Sequence, residues 1–375
     1  MVFGLAFALV IAELCIRRFK PQISYALTNI QTFPCLVEGT YRWIRLQPNK
    51  ACTLKSAWGA FPDTEVKTNS LGLRNPEISP DKPTNIKRIL FIGDSFTMGW
   101  GVPEEASFPK FTETILNQVH VQPKAEAVNA GVLATGPSSY YVYLKHFGLA
   151  LKPDIVVVGL YMGNDIYEQT YSEWIETDDL GLPDIVQSKR YYVDSTGNLR
   201  LQQVPIEYSI PLVRDSQLFV LLMKTFRPQV ISNIANHDQP YIRLDYCQYI
   251  ATCTRLDDQK AHVQKLLLGM KKRTEQAGAR FLVVMIPAEF QVRMGMEPKY
   301  GIPFALTPEQ KQYPNKQLAE FFTAQGIDYL DLIPQFMSYD TIQTYYTLDD
   351  HWNAYGHAVT AAAIAEKLVP YFTTQ

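Results

Sequence analysis

The sequence has no C-x-x-C pair and no Cys/His cluster at zinc-ligand spacing, so the usual sequence grounds for a zinc or dithiol site are missing. Excess charge of either sign is missing too. Lys plus Arg number 35 against 37 Asp plus Glu, a formal charge of −2. No basic stripe interleaves with aromatics, and nucleic acid is not an expected partner. There are no internal repeats and no low-complexity segment. No run reaches the ~20 apolar residues that span a bilayer.

What is present is core-forming material. The apolar fraction is 47 %, ample for a packed interior in 375 residues. Tyr (22) and Phe (19) are plentiful, which suits either a dense core or a carbohydrate-facing cleft. Five cysteines stand at Cys15, Cys35, Cys52, Cys247 and Cys253. Cys247 with Cys253 and Cys35 with Cys52 could close two small loops, a reading that favours an oxidising compartment. Four buried free thiols are an equally ordinary alternative.

In chain order, Met1 to Ile16 is apolar apart from Glu13 and is followed by Arg17, Arg18 and Lys20. It has no small-residue cleavage site, so the expectation is an uncleaved membrane anchor over residues 1–20 rather than a signal peptide. The alternative is an apolar helix packed on the body of the protein. Positive charges after the segment favour a cytoplasmic body by the positive-inside rule. Residues 21–85 read as a lead-in and linker, with scattered aromatics such as Tyr41, Trp43 and Trp58 and a turn-rich piece at 69–75.

The main domain is expected over 86–375. Its first strand, Ile89-Leu90-Phe91-Ile92, stops at Gly93-Asp94-Ser95. Helical spacing over 104–119 leads to a strand at 125–131, then a helix at 138–151 and a buried strand at 155–160 that ends in Met162-Gly163-Asn164-Asp165. The rhythm breaks over about 167–258, which reads as a lid-like insertion with a hairpin at Asp194–Asn198 and a helix at 216–226. A helix over 259–276, a strand over 281–286, a helix over 314–324, a strand over 329–333 and a closing helix over 356–372 complete the chain. Strands alternating with helices imply a parallel, doubly wound α/β sheet, whose ligands gather at the carboxyl ends of the strands.

Three such ends carry Ser95, Gly131 and Asn164, and the loop with Asp349, Asp350 and His351 precedes the last helix on the same edge. Gly-Asp-Ser can be a simple turn with a helix cap. It can also hold a nucleophile. A serine hydroxyl needs a base within hydrogen-bond reach, and a histidine fixed by a carboxylate supplies one. The oxyanion formed on attack needs donors, and the Ser95 N–H, the Gly131 N–H and the Asn164 amide are suitable. A metal held by Asp349, Asp350, His351 and His357 would leave the serine and its donors without a role, so no metal or cofactor is expected. His357 reads as structural. His120, His146, His237 and His262 have no evident partners in the sequence.

These blocks resemble the SGNH/GDSL hydrolase superfamily. Gly93-Asp94-Ser95-Phe96 matches its first block with phenylalanine where leucine often stands, and Asn129-Ala130-Gly131 matches the second. Gly163-Asn164-Asp165 matches the third, with Met162 in place of a glycine. The fourth resembles Asp349-Asp350-His351-Trp352. The commoner pattern puts the aspartate three residues before the histidine, at Leu348 here. Asp349, two before, resembles the Asp-x-His-Trp form of relatives that acetylate or deacetylate exopolysaccharides. Asp350 competes with it as partner of His351. The match covers about 66–165 and 260–375.

The resemblance implies a flavodoxin-like three-layer α/β/α sandwich. It also implies an ester hydrolase or O-acyl (acetyl) transferase working through a Ser95 acyl-enzyme on acylated small molecules or glycans, without cofactor. A transferase would draw on a membrane acyl-donor partner. Together with the anchor, it places the catalytic domain outside the cytoplasm, in a periplasm or at the cell surface. The rival expectation is a catalytically inactive SGNH-fold glycan-binding or scaffold protein.

Overall fold

A computed structural model describes residues 2–19, 33–56, 60–202, 216–226, 246–300, 302, 304–339, 343–347 and 349–373. Trp58, His237, Leu348 and parts of the insertion fall outside them.

Five parallel strands form the central sheet: β5 (Ile86–Gly93), β6 (Lys124–Gly131), β7 (Ile155–Tyr161), β12 (Arg280–Ile286) and β13 (Asp328–Asp331), in the order β13-β12-β7-β5-β6. β5 and β7 are buried nearly throughout because both of their faces are covered. On one face Ile89, Phe91, Ile155 and Val157 pack with Phe108, Leu116, Ile364 and Leu368 from the helices Phe108–Gln118 and Ala354–Thr373. On the other, Leu90, Ile92, Val156 and Val158 meet Tyr141, Leu266, Met270, Leu318 and Phe322. These come from the helices Pro137–Tyr143, Asp257–Gln276 and Pro308–Ala324. Each aliphatic side chain so buried contributes about 1.5–3 kcal/mol. The result is the expected three-layer α/β sandwich.

Several boundaries differ from the sequence reading for identifiable reasons. The helix expected from Pro314 begins at Pro308, because Thr307 and Gln310 form a capping box and Pro308 occupies the first turn, where a missing N–H is harmless. Pro314 lies within that helix. The helix expected over 138–151 is α only to Tyr143, then widens to π pitch over Leu144–Gly148 and tightens over Leu149–Leu151.

The lead-in holds two small hairpins, β1 (Leu36–Glu38) with β2 (Ile44–Leu46) and β3 (Ala51–Leu54) with β4 (Thr64–Lys67). The Cys35–Cys52 disulfide joins them, and a second bond links Cys247 and Cys253. Their core of Phe33, Leu36, Leu54, Phe61 and Val66 extends to Met98 and Trp100, so the lead-in packs directly on the segment after Ser95.

In the insertion, β8 (Ser172–Thr177) pairs with β9 (Pro183–Ser188), and β10 (Tyr191–Val193) with β11 (Leu199–Leu201) around the expected turn. β8 and β9 contact the helical layer, where Trp174 Nε1 donates to Ser138 Oγ and Arg273 pairs with Asp178, and the lead-in, where the Val186 N–H donates to the Tyr41 carbonyl and Arg42 donates to Gln187. His146, without a partner in the sequence reading, stacks on Tyr41 and binds Asp184.

At the amino end, Val2–Phe19 is a helix, and among the described residues no helix is long and apolar enough to cross a membrane. Its Glu13 carboxylate accepts from Ser216 Oγ and from the N–H groups of Gln217 and Leu218, capping the helix Gln217–Phe226.

Candidate active site

The apolar run of β5 ends where Gly93 pairs with Gly131 of β6, so the two strand ends are level. Asp94 then caps a one-turn helix, Ser95–Met98, by accepting from the Phe96 N–H at 2.9 Å. The cap and nucleophile readings of Gly-Asp-Ser therefore coexist: the cap fixes the turn, and Ser95 is its first helical residue, partly exposed. Its N–H has no intrahelical acceptor. Gly131 permits this packing. A Cβ there would lie 2.2 Å from the Met98 nitrogen and 2.5 Å from the Thr97 carbonyl carbon, both backbone atoms. Arg74, itself buried, donates to the carbonyls of Met98, Gly99 and Val102 and secures the far end of the turn.

His351 reaches Ser95 across 256 residues, with Nε2 2.7 Å from Oγ. Its loop doubles back on itself. Tyr345 bridges Trp352, and Tyr346 N–H donates to the His351 carbonyl at 2.9 Å. Trp352 is fully buried, stacked on Phe336 and edge-on to Phe96, which explains why a tryptophan after the histidine matters: it pins the loop. The imidazole lies over Phe96 and Trp100 at 4.8 and 5.4 Å.

Both candidate carboxylates adjoin Nδ1, but unequally. Asp349 Oδ1 is 2.5 Å away and also accepts the His351 N–H at 2.9 Å. Trp100 Nε1 donates to its Oδ2 at 3.2 Å. Asp350 Oδ1 lies at 3.2 Å, and neither of its oxygens has a hydrogen-bond partner. Burial opposes charge on His351, but the Asp349 and Asp350 carboxylates outweigh it and raise its pKa to about 9. Burial likewise works against the Asp349 anion, yet His351 holds its pKa below the usual carboxylate value. Burial pushes Asp350 up to about 7 and Asp94 to about 6. Asp349, Asp350 and His351 are also close enough to hold a metal ion. Asp349 and His351, however, turn their donor atoms toward each other, an arrangement suited to a proton rather than a shared cation.

The expected oxyanion donors are differently disposed. Asn164 follows β7, and its N–H reaches the Tyr161 carbonyl at 3.3 Å while its Oδ1 is buried without a partner. The Gly131 N–H donates to Asn129 Oδ1 at 3.0 Å and so already has an acceptor. Asp165 is buried and pins this edge, accepting from Tyr140 OH and the Tyr161 N–H. Met162, in the position of the resembled glycine, is tolerated because its side chain enters the core. His357 is buried, accepts the Phe108 N–H, and is driven down to about 3 chiefly by burial; it is structural.

A serine on a strand-end turn, with a carboxylate-braced histidine arriving from the loop before the last helix, has a counterpart among known domains. Residues 249–373 match the model of the SGNH hydrolase-like domain of the acetyltransferase AlgX. Over that stretch the chain is similar to an SGNH hydrolase-like domain. No curated protein matches it. Solved structures similar to it include a lipase/acylhydrolase from Enterococcus faecalis (12 % identity, 76 % of this chain, 96 % of that one, TM-score 0.42). Another is TesA (12 %, 76 % and 99 %, 0.41), and a third an acetylxylan esterase from Geobacillus stearothermophilus in catalytic-mutant form (10 %, 75 % and 94 %, 0.41).

Two contributors to this site had no signal in the sequence: Trp100 orients Asp349, and Lys299 ties the Asp349 carbonyl at 2.9 Å to the buried Glu289. Only the proximity of Trp100 to the Gly-Asp-Ser block could have suggested the first. Asn129, part of the second block, proves to hold the Gly131 N–H.

Proposed function

We propose that this chain is a serine-dependent O-acyl esterase or O-acetyltransferase acting through a Ser95 acyl-enzyme on acylated carbohydrate. The observation that carries the reading is the continuous relay Ser95 Oγ–His351 Nε2, His351 Nδ1–Asp349 Oδ1 at 2.7 and 2.5 Å. The match to an acetyltransferase domain favours acetyl as the acyl group.

In the first step the Oγ–H proton passes to Nε2, an Oγ–C bond forms, and the carbonyl oxygen becomes an anion facing the Ser95 N–H and Asn164. Collapse breaks the bond to the leaving alcohol, which takes the proton back from His351. Water or a sugar hydroxyl then attacks the acyl-enzyme, giving its own proton to His351, which hands it to Ser95 Oγ as the Oγ–acyl bond breaks. Water completes an esterase cycle and a sugar a transferase cycle.

The location we propose is extracytoplasmic and membrane-associated, supported by the two disulfides. The helix Val2–Phe19 exposes Phe7, Val10, Leu14 and Phe19 beside Arg17 and Arg18, a composition suited to a lipid surface.

The test is a fluorophosphonate probe on the full chain, with the adduct mapped by mass spectrometry and turnover of a chromogenic acetyl ester measured in parallel. Labelling at Ser95 that disappears in His351→Ala is expected. Ser95→Ala should abolish turnover with thermal unfolding nearly unchanged. The second reading, an inactive glycan-binding or scaffold protein, is favoured by the engaged Gly131 N–H. An inert Ser95 in folded protein that binds glycan would establish it.

A further inference from the structure

The carbonyl of Met162 lies just beyond β7, two residues before Asn164. The adjacent strand β12 ends at Ile286, opposite Tyr161, so the ladder offers this carbonyl no further N–H. Two side chains reach it instead: Gln248 Nε2 at 2.7 Å and Tyr249 OH at 2.9 Å. Both residues are fully buried. They belong to the turn Tyr246–Tyr249, and the Cys247–Cys253 disulfide closes the loop that contains it. On the other side of the same residue, the Met162 N–H donates to the Ile286 carbonyl at 2.8 Å.

A peptide unit is planar, so fixing the Met162 carbonyl also fixes the Gly163 N–H on its opposite side, and with it the chain's approach to Asn164. Gly163 adds no steric brake of its own, having no side chain. A Cβ there would collide with the Tyr161 ring at 2.3 Å. Rotation of the 162–163 peptide is resisted by the two donors from the disulfide-closed turn, together with the Asn164 N–H that closes onto the Tyr161 carbonyl at 3.3 Å.

We propose that Gln248 and Tyr249 are positioning residues for the Asn164 oxyanion donor, and that the Cys247–Cys253 bond holds them in register with it. This rests on the serine-enzyme reading above. The disulfide thereby acts on the reaction from beneath the oxyanion loop, without touching substrate.

The experiment compares the oxidised full chain with Gln248→Met, Tyr249→Phe and the pair Cys247→Ala/Cys253→Ala, each also made in an Asn164→Ala background. Acetyl-ester kinetics and the rate of fluorophosphonate labelling are read for all. The expected result is a roughly tenfold lower kcat for Gln248→Met and for the double cysteine variant, with KM within about twofold, as misplacement of one transition-state donor predicts. With Asn164→Ala already present, the same substitutions should add less than about twofold, since a residue acting through Asn164 has nothing left to position. Dithiothreitol, donating two electrons and leaving as its cyclic disulfide while two thiols form, should slow the parent. The double cysteine variant, which retains Cys35–Cys52, reads the effect of reducing that bond alone, and the parent should be slowed by more than that.

Equal losses in both backgrounds would assign the turn a general structural role and overturn the proposal, as would full activity in Gln248→Met/Tyr249→Phe. A parent chain that neither labels nor turns over would instead overturn the serine-enzyme reading, and this proposal with it.

Discussion

Replacing Asp349 by asparagine separates the two carboxylates that crowd His351. Where a serine–histidine–aspartate relay has no substitute, loss of the carboxylate costs roughly 10⁴ in kcat, because the histidine is left in the wrong tautomer. Here Asp350 already lies 3.2 Å from the same Nδ1, with both oxygens free of hydrogen bonds. Only a small rotation would be needed for it to accept from the ring. The expected loss for Asp349→Asn is therefore about 10²–10³, or roughly 3–4 kcal/mol of barrier. Asp350→Asn alone should lose less than about threefold, and the double variant should fall to the full ~10⁴.

The pH profile gives an independent reading of the same variant. His351 acts as a base only when neutral, and its pKa is raised to about 9. In the parent, kcat/KM should climb with pH along a limb well above the ordinary histidine value. Removing the Asp349 charge takes away the leading attraction that opposes burial, so the limb should move toward acid. The variants must then be compared on their alkaline plateaus, since at neutral pH the shift partly masks the loss. The reasoning is refuted if Asp350→Asn is as damaging as Asp349→Asn, or if the Asp349→Asn limb moves toward alkali.

Trp100→Phe keeps the ring beneath His351 but removes the donor to Asp349 Oδ2, and kcat should drop roughly threefold to tenfold, as for a net 0.5–1.5 kcal/mol hydrogen bond. Gly131→Ala forces a Cβ against the backbone of Thr97 and Met98, and urea unfolding should show about 1–3 kcal/mol of destabilisation together with lost turnover. His357 is held neutral, with its pKa depressed to about 3, so the unfolded chain binds a proton that the folded one rejects between that value and about 6.5. Its contribution is complete above the upper limit and declines as pH falls, by up to about 1.4 kcal/mol per unit. His357→Gln should flatten the acid limb of stability measured by thermal unfolding.

The frame of the molecule was legible because three strands, β5, β7 and β12, are buried on both faces and so read as unbroken apolar runs. Their polar ends were legible as well, since Gly-Asp-Ser and Gly-Asn-Asp interrupt those runs abruptly. The lead-in was harder. Its hairpins are three and four residues long, too short for alternation to register, and they depend on the Cys35–Cys52 bond and on Trp100 for a core. Within the site, residue identity could nominate Asp349, Asp350 and His351, but not which oxygen faces Nδ1; that follows from the Tyr345–Trp352 bridge and the burial of Trp352. Nor could it reveal that Asn129 engages the Gly131 N–H, a side-chain contact between two residues of β6 that no periodicity encodes.

An acidic side chain in the middle of an apolar helix looks like a flaw until its partner is seen. Glu13 supplies the acceptors for the first N–H groups of a helix more than 200 residues away in sequence, so the amino-terminal helix doubles as a plug for the insertion. Shortening the chain to begin after residue 19, the natural choice for anyone wishing to discard an apolar leader, would strip that cap from Gln217–Phe226. It would also lay bare the surface on which the two helices meet, in the segment whose solubility the trimming was meant to improve.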